Sequence, residues 1–138
     1  MTMSPLTSPA PGGFEVRTHV PVPTVAVLRP EGELDLVTAP ELVARVELHV
    51  GQGRHVVIDL QDVTLLTSSA LQSLLAVHTT ARTAGRRLRL TGCGHAPVAR
   101  VLVGTGLDAV LPLTALSSEE VVAALAHPRG ATRRPASD

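Results

Sequence analysis

Two short segments hold the residues whose chemistry stands apart from the rest of the chain. The first is Gly32-Glu33-Leu34-Asp35, with two carboxylates one residue apart. The second is Leu65-Leu66-Thr67-Ser68-Ser69-Ala70-Leu71, with three consecutive hydroxyls. Each follows a run that reads as a strand and precedes one that reads as a helix. In open α/β sheets that edge is where binding sites gather. The hydroxyl segment also opens a helix, whose free N–H groups and dipole favour negative charge. A phosphoryl group on Ser68 would add about −1.5 to −2 charge in that field, and a nearby Asp35 would repel it. A purely structural reading stands beside this one. Ser68 and Ser69 serve as helix caps, and Asp35 satisfies backbone groups at a turn.

The elements that must position these segments follow from periodicity. Phe14–Val20 reads as a first strand, interrupted by Pro21 and Pro23, and Thr24–Arg29 as a second. Thr38 with Glu41 has the spacing of a capping box, with Pro40 in the first turn. Ala39, Leu42, Val43, Val46 and Val50 form one apolar helical stripe, and Gly51 ends it. His55–Leu60 is a continuous β-branched run, expected as a central strand covered on both faces. Gln61–Leu66 reads as a connection. A second helix runs to Ala84 with Gly85 as its stop, its stripe being Ala70, Leu74, Val77, Ala81 and Ala84. Leu88–Thr91 is a strand, Ala96–Gly104 a helix, and Val110–Leu111 a short last strand. Ser117 with Glu120 gives a capping box for a final helix that faces Val121, Val122 and Leu125 inward.

This alternation implies an α/β fold: a single domain with a mixed, mostly parallel central sheet of four to five strands and about four helices. The first strand or two are expected to run antiparallel at an edge. The domain spans 14–126. Residues 1–13, rich in Pro, Ser, Thr and Gly, read as a disordered leader, and 127–138 as a flexible tail.

Composition narrows the function. Basic and acidic residues balance at 12 each, so no charge surplus points to nucleic acid or an anionic membrane. Phe14 is the sole aromatic, which removes base-stacking platforms. Every basic residue is Arg, so lysine-dependent phosphate loops, Schiff bases and SxxK sites are excluded. Cys93 is the single cysteine, and the six histidines show no ligand spacing; no metal or cofactor is expected. His78 is expected part-buried and hydrogen-bonded. Gly104–Ala109 formally matches GxGxxA, but helix and strand come in the wrong order for a dinucleotide site. Arg86, Arg87 and Arg89 form a basic cluster, read as a solvated face. No secretory signal and no membrane-length apolar run is seen, so the expected location is cytoplasmic.

EGELDLVTAPEL followed by VVIDLQDVTLLTSSALQSLL resembles the STAS family, in its bacterial anti-sigma-factor antagonist form. Gly32, Glu33, Leu34 and Asp35 match one family motif, and Ile58, Asp59 and Leu60 a second. Ser68, Ser69 and Leu71 match the third in part, and the likeness runs from about Val16 to Leu125. The resemblance implies a non-enzymatic regulator of transcription that works by partner switching. It would bind an anti-sigma factor with serine-kinase activity and be released on phosphorylation. The phosphoacceptor maps to Ser68, and the partner-binding surface to Glu33, Asp35, Thr67, Ser68, Ser69 and Ala70. Thr67 replaces the family Asp and Ala70 the family Gly, changes expected to affect phosphorylation more than docking. Two alternatives remain at this stage. One is a STAS scaffold in a larger assembly that is never phosphorylated; the other is a small-molecule or nucleotide-binding STAS module.

Overall fold

Val25–Leu34 forms a ten-residue strand, β2, that organises the sheet. The computed structural model describes residues 13–127. The expected leader and tail therefore lie outside the described residues except for Gly13 and His127. β1 (Glu15–Val22) pairs antiparallel with β2, from Glu15 opposite Glu31 to Val22 opposite Val25, with a register shift after His19. The prolines thus bend the strand end without stopping it short of Val22. β3 (His55–Asp59) runs parallel to the first half of β2, and β5 (Leu88–Thr91) runs parallel to β3. β4 (Val63–Leu66) runs parallel to the second half of β2. The sheet thus has five strands, with β1 the antiparallel edge.

Period-two alternation sends neighbouring side chains to opposite faces. Leu28, Val56 and Ile58 join the larger core with helices α1 (Ala39–Gly51), α2 (Ser68–Thr83) and α3 (Ala96–Thr105). Val25, Val27 and Val57 point the other way, against Val121, Val122 and Leu125 of α4 (Ser118–Ala126). β3 is therefore covered on both faces, as its uninterrupted apolar run requires. With one aromatic residue available, Leu and Val supply most of the core. Removing one such buried leucine side chain costs roughly 2–5 kcal/mol.

The structure departs from the sequence-based elements at several further points. β2 does not end at Arg29 but runs on to Leu34, so Gly32, Glu33 and Leu34 lie within the strand and not beyond it. α2 ends at Thr83, and Ala84 is its exposed C-cap instead of part of the buried stripe. The 61–66 segment is not a mere connection, because its last four residues form β4. Thr38 makes no side-chain cap to α1; its hydroxyl turns back into the preceding loop. The cap of α2 is Thr67, not Ser68 or Ser69: Thr67 is extended and its Oγ1 accepts from the Ala70 N–H. Val110–Leu111 is not a strand. A 3₁₀ turn at Leu107–Ala109 follows left-handed Gly106, and the chain meets β5 slightly later. There Leu90 N–H donates to Pro112 C=O and Thr114 N–H to Leu90 C=O. Ser117 and Glu120 do form a reciprocal capping box.

Three histidines tie fold stability to pH. Burial lowers the affinity of His49, His55 and His78 for a proton, and neighbouring arginines lower it further. His49 Nδ1 lies 3.1 Å from the Arg54 guanidinium, and His55 Nδ1 accepts from the Arg87 N–H at 3.0 Å. His78 is half-buried, but its Nδ1 is buried without a partner, contrary to the expected hydrogen bond. A histidine whose folded-state pKa is depressed binds its proton more readily when unfolded. Its contribution is complete above the ordinary value near 6.5 and is lost as pH falls below it. Thermal unfolding should therefore occur at a lower temperature at pH 5.5 than at pH 7.5. A midpoint that is unchanged or higher at the acid pH would contradict this packing.

Candidate functional site

β2 changes partner midway, and this change builds the site. Its pairing with β3 ends at Leu28 opposite Ile58. A tight turn, in which Val63 N–H donates to Leu60 C=O, then brings β4 alongside the remainder of β2. Gly32 sits at the changeover, where its N–H donates to Asp62 C=O at 3.2 Å. Its φ of +108° is one that side chains rarely adopt, and a Cβ there would lie 3.3 Å from the Phe14 Cα. The register shifts after Gly32, and then Glu33 pairs with Leu65 and Leu34 with Leu66. The last link is Thr67 N–H to Leu34 C=O at 3.1 Å. Asp35 and Ser68 are the next residues on each chain. The acidic and hydroxyl segments, about thirty residues apart, thus leave the sheet from adjacent strand ends.

Asp35 is held by the turn it starts. Its Oδ1 accepts from Val37 N–H at 2.9 Å, Thr38 N–H at 3.0 Å and Thr38 Oγ1–H at 3.1 Å. The Thr38 backbone bond does most to hold the Asp35 carboxyl below its ordinary range, opposing the smaller effect of desolvation. Thr38 is the buried hub of this loop. Its hydroxyl also lies 2.7 Å from Glu33 C=O and accepts from Asp35 N–H at 2.9 Å. Glu33 itself is exposed.

The hydroxyl segment divides its work. Thr67 caps α2, and its Oγ1 is 3.1 Å from that of Ser69. With the cap supplied by Thr67, Ser68 is exposed and makes no side-chain hydrogen bond among the described residues. Ser69 is half-buried. Ala70 is placed differently from the expectation of a partner-facing residue. It is fully buried, and its methyl points into the larger core.

Sequence reasoning missed the apolar residues that flank Ser68 and Asp35 on this rim. Leu36 and Val37 are 72% and 68% exposed, and Leu65 is also exposed. Their signal was present: Leu36 and Val37 follow the acidic motif but precede the apolar stripe of α1. On the opposite face of the sheet, Asp59 is 3% exposed and pairs with Arg29 at 3.0 Å while also accepting from Gln61 N–H. That pair pins β2 to β3, and each oxygen of the carboxylate has a partner. Burial, aided by the Asp59 charge, raises the Cys93 pKa to about 11, which disfavours the nucleophilic thiolate. Among the described residues no group of acidic, histidine or cysteine side chains is arranged to hold a metal, and no helix is long and apolar enough to cross a membrane.

These features define a small open α/β domain whose exposed polar chemistry collects where parallel strands end and a helix begins. The chain belongs to the STAS domain family, which it matches over residues 15–121. A crystal structure of an anti-sigma factor antagonist from Mycobacterium paratuberculosis superposes with a TM-score of 0.71 at 27% identity, covering 86% of this chain and 99% of that one. The anti-sigma factor antagonist SpoIIAA in its unphosphorylated form gives 0.67 at 19% identity, over 84% of this chain and 97% of that one. SpoIIAA of Bacillus in its phosphorylated form gives 0.59 at 19% identity, over 78% and 96%. No curated protein matches the chain significantly in sequence.

The Thr38 hub yields a test of the acidic loop. Replacing Thr38 by Val keeps the shape but leaves Glu33 C=O and Asp35 N–H without their buried partner. The expected cost is about 2 kcal/mol of stability, read as a lowered denaturant midpoint. A variant as stable as the parent chain would show that the hydroxyl does not hold the loop.

Proposed function

We propose that the chain is an anti-sigma-factor antagonist that binds an anti-sigma factor with serine-kinase activity and is released when Ser68 is phosphorylated. The observation that carries this reading is the pairing of Leu34 with Leu66, which sets the Asp35 loop beside an exposed, uncapping Ser68 at a helix start. STAS membership and the likeness to the mycobacterial antagonist support it. The docking surface comprises Glu33, Asp35, Thr67, Ser68 and Ser69, with Leu36, Val37 and Leu65 supplying apolar area. Ala70 contributes by fixing the helix start from within. The protein acts in the cytoplasm as a binding module without a reaction of its own.

The switch is electrostatic. In the free protein Ser68 is a small neutral hydroxyl that a partner can cover. A phosphoryl group there gains the N–H groups and dipole of the α2 start. It also brings about two negative charges next to Asp35, whose own hydrogen bonds keep it ionised. A partner surface matched to the neutral state then faces an uncompensated charge, which at the centre of an interface costs about 2 kcal/mol or more.

Thr67 and Ala70 are compatible with this switch. Thr67 provides the N-cap that an Asp would provide, since either side-chain oxygen can accept from a first-turn N–H. The extra methyl of Ala70 lies inside the core, away from an approaching kinase.

The test combines mass and affinity. After incubation with the cognate kinase and ATP, the parent chain should gain one phosphate and the Ser68→Ala variant none. Ser68→Ala should keep partner affinity, and Ser68→Asp should weaken it by about 30-fold. No mass gain, or equal binding by all three proteins, would overturn the proposal.

A further inference from the structure

The far end of α2 carries a second feature that the proposed switch does not use. A groove of about 620 Å³ opens there, lined by four arginines: Arg82, Arg86, Arg87 and Arg89. Its volume lies in the range of small-ligand sites. Four of the chain's 12 basic residues thus share one groove in a protein of zero net charge. Arg82 and His78 stand one turn apart on α2, Arg86 and Arg87 lie in the turn before β5, and Arg89 is on β5. Opposite them runs the Pro112–Thr114 strap that covers the outer edge of β5.

Among the described residues no carboxylate lines the groove. The ion pairs among the described residues join Arg17 to Glu31, Arg29 to Asp59 and Arg45 to Glu41, leaving out all four groove arginines. Among the described residues the Arg89 side chain donates only to the neighbouring Leu88 C=O, at 2.9 Å. His78 adds a buried Nδ1 without a partner in the groove wall. Burial and then the charge of Arg87 make Arg89 easier to deprotonate, and burial, followed by the charges of Arg82 and Arg89, does the same to His78. The groove therefore concentrates positive charge that no described carboxylate compensates.

We infer that this groove binds a compact oligophosphate group, free or carried by a small molecule. Guanidinium forks match phosphate oxygens two at a time. Several forks around one bounded cavity suit charges packed on one short group better than carboxylates spaced along a peptide. No aromatic side chain is present to stack a base, since Phe14 is buried in the larger core. The site is independent of Ser68. At about 1.5 Å of rise per residue, Arg82 lies about 21 Å along α2 from it.

Calorimetry of the full chain with sodium tripolyphosphate at low ionic strength tests the inference. The parent chain should bind, and added salt should weaken binding. Arg82→Gln with Arg87→Gln, both at exposed positions, should lose at least about tenfold in affinity. Arg17→Gln, outside the groove, should lose none. Amide shifts on titration should centre on 78–89 and 112–114, a readout that does not depend on any variant folding. ATP should bind as well as tripolyphosphate if the phosphate chain alone is read, and better if a carrier is also held; either result keeps the assignment. Absence of tripolyphosphate binding, equal weakening by Arg17→Gln, or tighter binding of an oligoglutamate peptide or a DNA oligonucleotide would overturn it.

Discussion

The hydrogen bond from Thr67 N–H to Leu34 C=O closes the short ladder on which the site depends. One bond of this kind contributes only about 1 kcal/mol net, but its position matters more than its strength. It is the last link between β2 and β4 before the two chains part, and it fixes where the acidic loop and α2 begin. The rest of the molecule supports that junction. The Arg29–Asp59 pair and the β3 core hold the first half of β2, and Gly32 lets the strand change partner without a clash.

The two loops are stiffened differently. The acidic loop is held by its own side chains, with Thr38 inside and Asp35 gathering three donors. The hydroxyl loop is held by the Thr67 cap and by Ala70, which anchors the first turn in the core. What remains free on the surface is Ser68, the Glu33 carboxylate and a few apolar side chains. A hydrogen-bonded frame around one unencumbered hydroxyl suits the proposed switch, because a modification there would change the surface charge without having to remodel the fold.

The sequence showed the architecture through periodicity: the stripe of Ala39, Leu42, Val46 and Val50, the unbroken 55–60 run, and the Ser117–Glu120 capping box all appear in the structure. β4 was hidden because four residues with only their ends buried give no alternation to read. The roles of Thr38 and Thr67 were not legible either. Each could cap a helix or serve a loop, and only the backbone decides which: Thr38 is already helical, whereas Thr67 is extended. The meeting of Asp35 with the helix start was suggested by topology, since both segments follow strands. It could not be placed without β4.

Hydrogen–deuterium exchange of the chain with and without the anti-sigma factor proposed as its partner tests the central claim most directly, because it reports both loops in one measurement. The account predicts that binding slows exchange jointly across residues 33–38 and 65–71 and leaves β1 and α4 unchanged. Protection confined to one of those loops, or falling on the β1 edge or on α4 instead, would contradict it.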